Sequence, residues 1–450
     1  MLRNVLPCVF SLALLATIGS SELFVWAETA PQSAETQSTE LIKCAPYLQG
    51  MSQESVIITW HTSQQAYSWV DYWETGAPET KKTAQASTYG LKNVGTAQAV
   101  TLAPLKPGTS YTYEINSKEV KRILPYKFTF GVEEKVAEMK GKPLSFTTWP
   151  AQADNFSFIM INDLHDNNSL HRALLDKCGL EESAFVCYNG DIVTDKNTED
   201  EIFNKFLDIP IELFAWQKGF FMLRGNHETR GAMSRSIHNY FPTANDQFYY
   251  TFQYGDVFFV NLDCGEDKVD TSNEYGGLVD FDSYRTEQMK WLEQVVQMPE
   301  YQNARYRVFF CHIPPTGGGA MDVQVDVITP GAGVSLLSIG SDEMGLSVNE
   351  PASENIKTGT TLSGAPWHGD IEIRDKFLPF MLKNKGDLLL CGHTHKLYNC
   401  NYRSGDYNLP VLINGNDAGV RIDVSPEKMV LRVIKPDGSV VTSKVIVPRR

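Results

Sequence analysis

Hydrophobic positions change their period twice along this chain. An apolar run, Val5–Ile18, is followed by a polar stretch to about Glu40, and then short alternating segments begin: Ser55–Trp60, Ser68–Trp73, Ala97–Leu102 and Ser110–Ile115. Each has strand length and composition with turn residues on either side, so residues 41–147 are predicted to form an all-β sandwich ending with Leu144–Thr148. A lone histidine in it, His61, reads as a surface or edge residue. From Phe156 the texture differs. Buried-strand runs (Phe156–Ile161, Ala184–Tyr188, Phe220–Leu223, Val257–Leu262, Tyr306–Phe310, Leu388–Leu390) alternate with apolar stripes at helical spacing. Those stripes are Leu170, Leu174, Leu175 and Cys178; Ile202, Phe203 and Phe206 behind a Thr198–Glu201 capping box; Met289, Leu292, Val295 and Val296; and Phe377, Leu378, Met381 and Leu382. They are core positions. Strand–helix alternation on this scale predicts an α/β domain over residues 155–450.

The amino terminus adds a compartment. Arg3 precedes the apolar run, small residues follow it, and Val25-Trp26-Ala27 offers a cleavage site. The run is shorter than the roughly 20 residues of a membrane span, so residues 1–27 read as a signal peptide and 28–40 as a linker. The expectation is an exported protein without a transmembrane segment, periplasmic or secreted. With 40 basic and 54 acidic side chains the formal charge is −14, and no long basic run interrupts it. That composition disfavours a nucleic-acid or anionic-membrane binder. A phosphate-bearing ligand would need positive charge supplied locally, as a metal does. Once Cys8 leaves with the signal, seven cysteines remain, an odd and sparse set that reads as small buried thiols.

The chemistry follows the buried strands. They run into Asn162-Asp163-Leu164-His165, Asn189-Gly190-Asp191 (continuing to Thr194-Asp195), Arg224-Gly225-Asn226-His227-Glu228, Cys311-His312 and Cys391-Gly392-His393-Thr394-His395. Asp, Asn and Gly often end strands because they make turns. Here, however, five of only nine histidines stand at these ends. Ligands bind beyond strand C-termini in open α/β sheets, and clustered imidazole and carboxylate favour a metal site.

That ordered set resembles the calcineurin-like metallophosphoesterase superfamily over residues 155–400. The resemblance implies a β-sandwich flanked by helices that carries two divalent or trivalent transition-metal ions, Mn, Fe or Zn. One ion would take Asp163, His165 and His395, the other Asn226, His312 and His393, and Asp191 would bridge them. His227 would be the general acid. The implied activity is hydrolysis of a phosphate ester by metal-activated hydroxide attack. In the first domain, the stretch from Leu102 to Tyr111 resembles the tyrosine corner of fibronectin type III domains. The order of the two domains is similar to that of purple acid phosphatases. Thr194 stands where those enzymes carry a tyrosine, and His165 is a histidine they lack. Asp195, one residue beyond the position at which many relatives orient the acid, is the candidate partner of His227.

Candidate phosphate contacts are Arg224 and Arg230, with His368 reaching the substrate from its far edge. The segment 316–365, rich in glycine, reads as a long inserted loop beginning and ending near the site. Asp263, Glu266 and Asp267 form an acidic group without an assigned role. The leading expectation is an enzyme acting on a phosphate ester. The alternatives are a phosphodiesterase or nucleotidase on the same fold, and a non-catalytic surface- or glycan-binding protein with a structural metal site. No specific nucleic-acid partner is expected, and protein partners are undetermined.

Overall fold

A computed structural model describes residues 40–194, 196–315, 324–330, 354–358, 367–404 and 407–449. Residues 1–39, which hold the expected signal and linker, lie outside that set. In the amino-terminal part, the segments read as two strands at 55–60 and 68–73 are one, Val56–Glu74, which pairs with Val94–Leu102 and Ser110–Leu124. Its register slips between His61 and Ala66, where polar Ser63, Gln64 and Gln65 are exposed. Trp60 is fully buried, and its indole donates to Ser117 Oγ at 2.9 Å, satisfying its one polar atom. Tyr111 Oη accepts from Lys106 N at 2.9 Å, the corner bond expected of this fold.

The second part is two stacked sheets between helices. One sheet has the order Phe220–Leu223, Val186–Asn189, Phe156–Ile161, Gly419–Val424, Met429–Ile434, Val440–Ile446, with its first three strands parallel. The other runs Tyr250–Tyr254, Val257–Leu262, Tyr306–Cys311, Leu388–Cys391, Tyr407–Ile413, Tyr398–Ser404, Gln324–Pro330, Glu354–Thr358, parallel from 257 through 413. Phe158, Phe185, Phe259, Phe310, Leu390 and Leu412 fill the space between the sheets. The helical stripes cover the outer faces: Asn168–Lys177 and 199–215 on one side, Phe281–Val295 and 368–383 on the other. Parallel strands in both sheets therefore end at one rim, beneath which buried apolar side chains are closely packed.

Two expectations need correcting. His61 is not at the surface. It is fully buried, hydrogen-bonded to Tyr47 Oη at 3.1 Å and stacked on Tyr240 at 4.5 Å, because the second domain covers the strand that carries it. Nor is 316–365 wholly loop: Gln324–Pro330 and Glu354–Thr358 extend the second sheet at its edge, and the remainder lies outside the described residues. No helix among the described residues is long and apolar enough to cross a membrane.

Candidate metal centre

Five strand ends deliver their side chains to one spot. Asp163 Oδ1 lies 3.3 Å from His395 Nε2 and 3.8 Å from both His165 Nε2 and His312 Nε2. His165 and His395 face each other through Nε2 atoms 2.9 Å apart. Asp191 Oδ2 is 3.0 Å from His312 Nε2, while its Oδ1 accepts from His227 N at 2.9 Å. The Asn226 carboxamide sits 3.1 Å from His393 Nδ1 and, with its nitrogen turned that way, 3.2 Å from Asp191 Oδ2. Three groups of ligand atoms result, each close enough to share one ion: Asp163, His165 and His395; Asp191, His312 and His393; and His165, Asp191 and His227.

The backbone is bent to achieve this. Asp163, His165, Asp166, Asp191, His393 and His395 all have positive φ, from 44° to 71°, a region that side chains other than glycine adopt only when surroundings enforce it. Two glycines allow the approach. A Cβ on Gly190 would lie 2.5 Å from His312 Nδ1, and one on Gly225 would lie 2.3 Å from Asp191 Oδ1.

The donor set fits a cation. Asp163 Oδ1 is buried without a hydrogen bond, although three imidazole nitrogens surround it. An orphaned carboxylate oxygen costs several kcal/mol unless a positive charge meets it. The electrostatics agree. Burial opposes protonation of His312, yet Asp191 and Asp163 outweigh it and lift its pKa to about 10. Burial likewise works to raise the pKa of Asp191, but His312 draws it down to about 2. Asp163 falls below the ordinary carboxylate range for the same reason, with His165 and His395 adding to His312. The His312 and Asp191 shifts both favour positive charge between the two carboxylates. Asn189 O accepts from His312 Nδ1 at 2.7 Å, which turns Nε2 toward the carboxylates.

His227 points its Nδ1 at Thr194 O, 3.1 Å away, and its Nε2 lies 3.3 Å from Arg230 Nη1. Asp195 lies outside the described residues, so the observed orienting group is the Thr194 carbonyl. Arg230 is held against His227 by Glu266 (2.8 Å) and Asp267 (3.1 Å). Arg224, expected at the phosphate, is instead committed to Asp263 at 2.6 Å and lies over the Phe248 ring at 4.5 Å. His368, expected to reach the substrate from its far edge, pairs its Nε2 with Asp282 Oδ1 at 2.8 Å. The acidic group that carried no role thus holds the two arginines. Local sequence reading also missed Glu228 and Lys196, both almost fully buried. Glu228 accepts from Asp191 N (2.7 Å), Ile192 N (3.1 Å) and Gly225 N (2.9 Å), and Lys196 donates to Val193 O and His227 O. The only signal for either was the Glu that follows Asn226-His227.

This fold and donor set define a metal-dependent phosphoric ester hydrolase. The family profile of the calcineurin-like phosphoesterases matches residues 156–397, more than half of the chain, and the protein belongs to that family. The profile of the purple acid phosphatase N-terminal domain matches residues 45–130. Among solved structures, a purple acid phosphatase from yellow lupin (Lupinus luteus) seeds superposes with a TM-score of 0.56 at 15% identity, covering 89% of this chain and 74% of its own. A Thermus thermophilus protein, TT1561, gives a TM-score of 0.33 at 8% identity, covering 65% of this chain and 98% of that one. A conserved uncharacterized protein of Streptococcus pneumoniae gives 0.27 at 11% identity, covering 66% and 99%. No curated protein matches the sequence significantly.

Proposed function

We propose that the protein is an exported phosphoesterase that works with two metal ions, Mn, Fe or Zn. Asp163, His165 and His395 would hold one, Asn226, His312 and His393 the other, with Asp191 between them. The observation that carries this reading is the buried, unpartnered Asp163 Oδ1 at the meeting point of three imidazoles. When bound, such ions supply Lewis acidity to the phosphoryl oxygens and make water a nucleophile near neutral pH.

The chain's own groups do the rest. In the hydrolysis a water oxygen bonds to phosphorus, the bond from phosphorus to the alcohol oxygen breaks, and the departing alkoxide takes a proton. Thr194 O accepts from the Nδ1–H of His227, which leaves Nε2 as the nitrogen that accepts from Arg230 Nη1 and that would carry the proton to be delivered when the ring is protonated. Arg230 stands beside Nε2, held there by Glu266 and Asp267. Export rests on Arg3 and the Val5–Ile18 run.

The test is purified protein stripped with chelator and reloaded with each metal, assayed on p-nitrophenyl phosphate and its bis-ester. Reloaded protein is expected to bind two ions per chain and hydrolyse the monoester, while stripped protein does not. Failure to hydrolyse any ester under every loading would overturn the reading. Asp191→Asn, which removes a charge shared between the ligand groups, is expected to lose both ions by elemental analysis and all turnover above background.

A further inference from the structure

We infer that a cavity behind Arg230, next to His227, seats the leaving alcohol and favours phosphate esters of an aromatic alcohol. The inference rests on the phosphoesterase reading above. The cavity, about 670 Å³, is walled by Arg230, Phe248, Tyr275, Phe281 and Tyr284, with Leu278 at its rim. That volume suits a small organic group. Its position follows from the acid. The alcohol oxygen must reach His227 Nε2, and Arg230, 3.3 Å from that atom, is also part of the cavity wall. Whatever is attached to that oxygen extends past Arg230 into this space.

The wall shows which chemistry it accepts. Several of its charges are spent on partners: Arg224 on Asp263, Arg230 on Glu266 and Asp267, Glu274 on Lys268 at 3.1 Å. The phenol hydroxyls are tied down as well, Tyr275 Oη to Glu266 and Tyr284 Oη to Asp263, each at 2.8 Å. What remains to meet a ligand includes the ring carbon of Phe248, Tyr275, Phe281 and Tyr284, beside Arg235, His238 and Asp280, which also line the cavity. The Arg224 guanidinium lies 4.5 to 5.8 Å from the centroids of Phe248, Phe281 and Tyr284, which fixes those rings around it. Leu278 is 72% exposed, an uncovered apolar side chain at the mouth. Offset or edge contacts to such rings reward a planar aromatic group. The larger cleft of about 790 Å³ does not compete for this role: it is lined by Ser52, Gln53, Asp154 and Asp256, at the opposite ends of the strands from the ligands.

The experiment compares 2-phenylethyl phosphate with ethyl phosphate on the metal-loaded full chain. Both release alkoxides of similar basicity, so a difference in kcat/KM reports the cavity. The phenylethyl ester is expected to be preferred by at least about tenfold, in line with burial of one ring. Ser234→Trp, which fills the cavity, and Leu278→Ser, which removes an apolar wall without touching the core, should each bring the ratio toward one. Saturation-transfer NMR with 2-phenylethanol provides a readout without turnover, with a signal expected for the parent and not for Ser234→Trp. Ethyl phosphate turned over with a ratio near one, and no transfer to 2-phenylethanol, would overturn the subsite and leave the phosphoesterase standing. Where neither ester is hydrolysed, the NMR signal decides the subsite alone, and the phosphoesterase stands or falls on p-nitrophenyl phosphate and its bis-ester.

Discussion

Glu228 shows how much of the centre depends on a side chain that touches no proposed ligand atom. Its carboxylate gathers the backbone N–H groups of Asp191, Ile192 and Gly225, and so sets where the Asp191 side chain starts. Gln in its place would turn an amide nitrogen toward donors, so Glu228→Gln is expected to weaken metal binding by about 10–100-fold, read by competition against a chromogenic chelator. A second residue-scale prediction concerns pH. His171 is buried against Tyr188 Oη at 2.7 Å, and burial drives its pKa from 6.5 to about 3. Between those values the unfolded chain binds a proton that the folded chain refuses. The stability this neutral ring contributes is therefore complete above pH 6.5 and is lost as pH falls from 6.5 through 3, with a slope of up to about 1.4 kcal/mol per pH unit. Urea unfolding of metal-free protein should show that slope, and His171→Phe should flatten it relative to the parent. The strand-end histidines were legible because each is fixed by its local context, an apolar run followed by a polar cluster. The fate of Arg224 was not, since its partner Asp263 is 39 positions away and only the folded rim joins them.

At the scale of elements, legibility followed burial. Strands buried on both faces, such as Phe156–Ile161 and Tyr306–Cys311, are apolar except for Ser157 and Arg307 and could be read directly. Tyr398–Ser404 could not. It carries two asparagines and an arginine, and becomes a strand only because Tyr407–Ile413 and Gln324–Pro330 flank it. His61 was misread for a related reason, because its environment belongs to another domain. That contact surface is itself testable. Tyr113, on the sandwich strand Ser110–Leu124, donates its buried hydroxyl to Trp216 O at 2.7 Å, just past the 199–215 helix. Tyr113→Phe keeps the ring and leaves that carbonyl without its donor, so a loss of about 1–3 kcal/mol is expected in urea unfolding. The loss should appear in a single transition reporting both domains. A second transition unaffected by the substitution would show that the junction does not couple them.

For the whole molecule, the question is how a protein read as exported keeps its thiols. Seven cysteines, at 44, 178, 187, 264, 311, 391 and 400, are free in the structure, and all but Cys44 are fully buried. Oxidation and disulfide exchange proceed through the thiolate, so a thiol is protected when burial withholds both access and ionisation. Burial pushes Cys44 and Cys178 up to about 12 and Cys400 to about 11, and it holds Cys187, Cys264, Cys311 and Cys391 well above the ordinary thiol value. Cys311 and Cys391 directly precede the strand ends that carry His312 and His393, so cross-linking them would pull on the metal centre. The fold itself therefore has to guard them, through the apolar packing between sheet and helices. Titration of the native mature chain with Ellman's reagent should accordingly report at most the one partly accessible thiol, Cys44, and titration in denaturant all seven. Fewer than seven in denaturant would mean that a disulfide forms after export, and several in the native state would mean that the layer over the second sheet opens on the timescale of the assay.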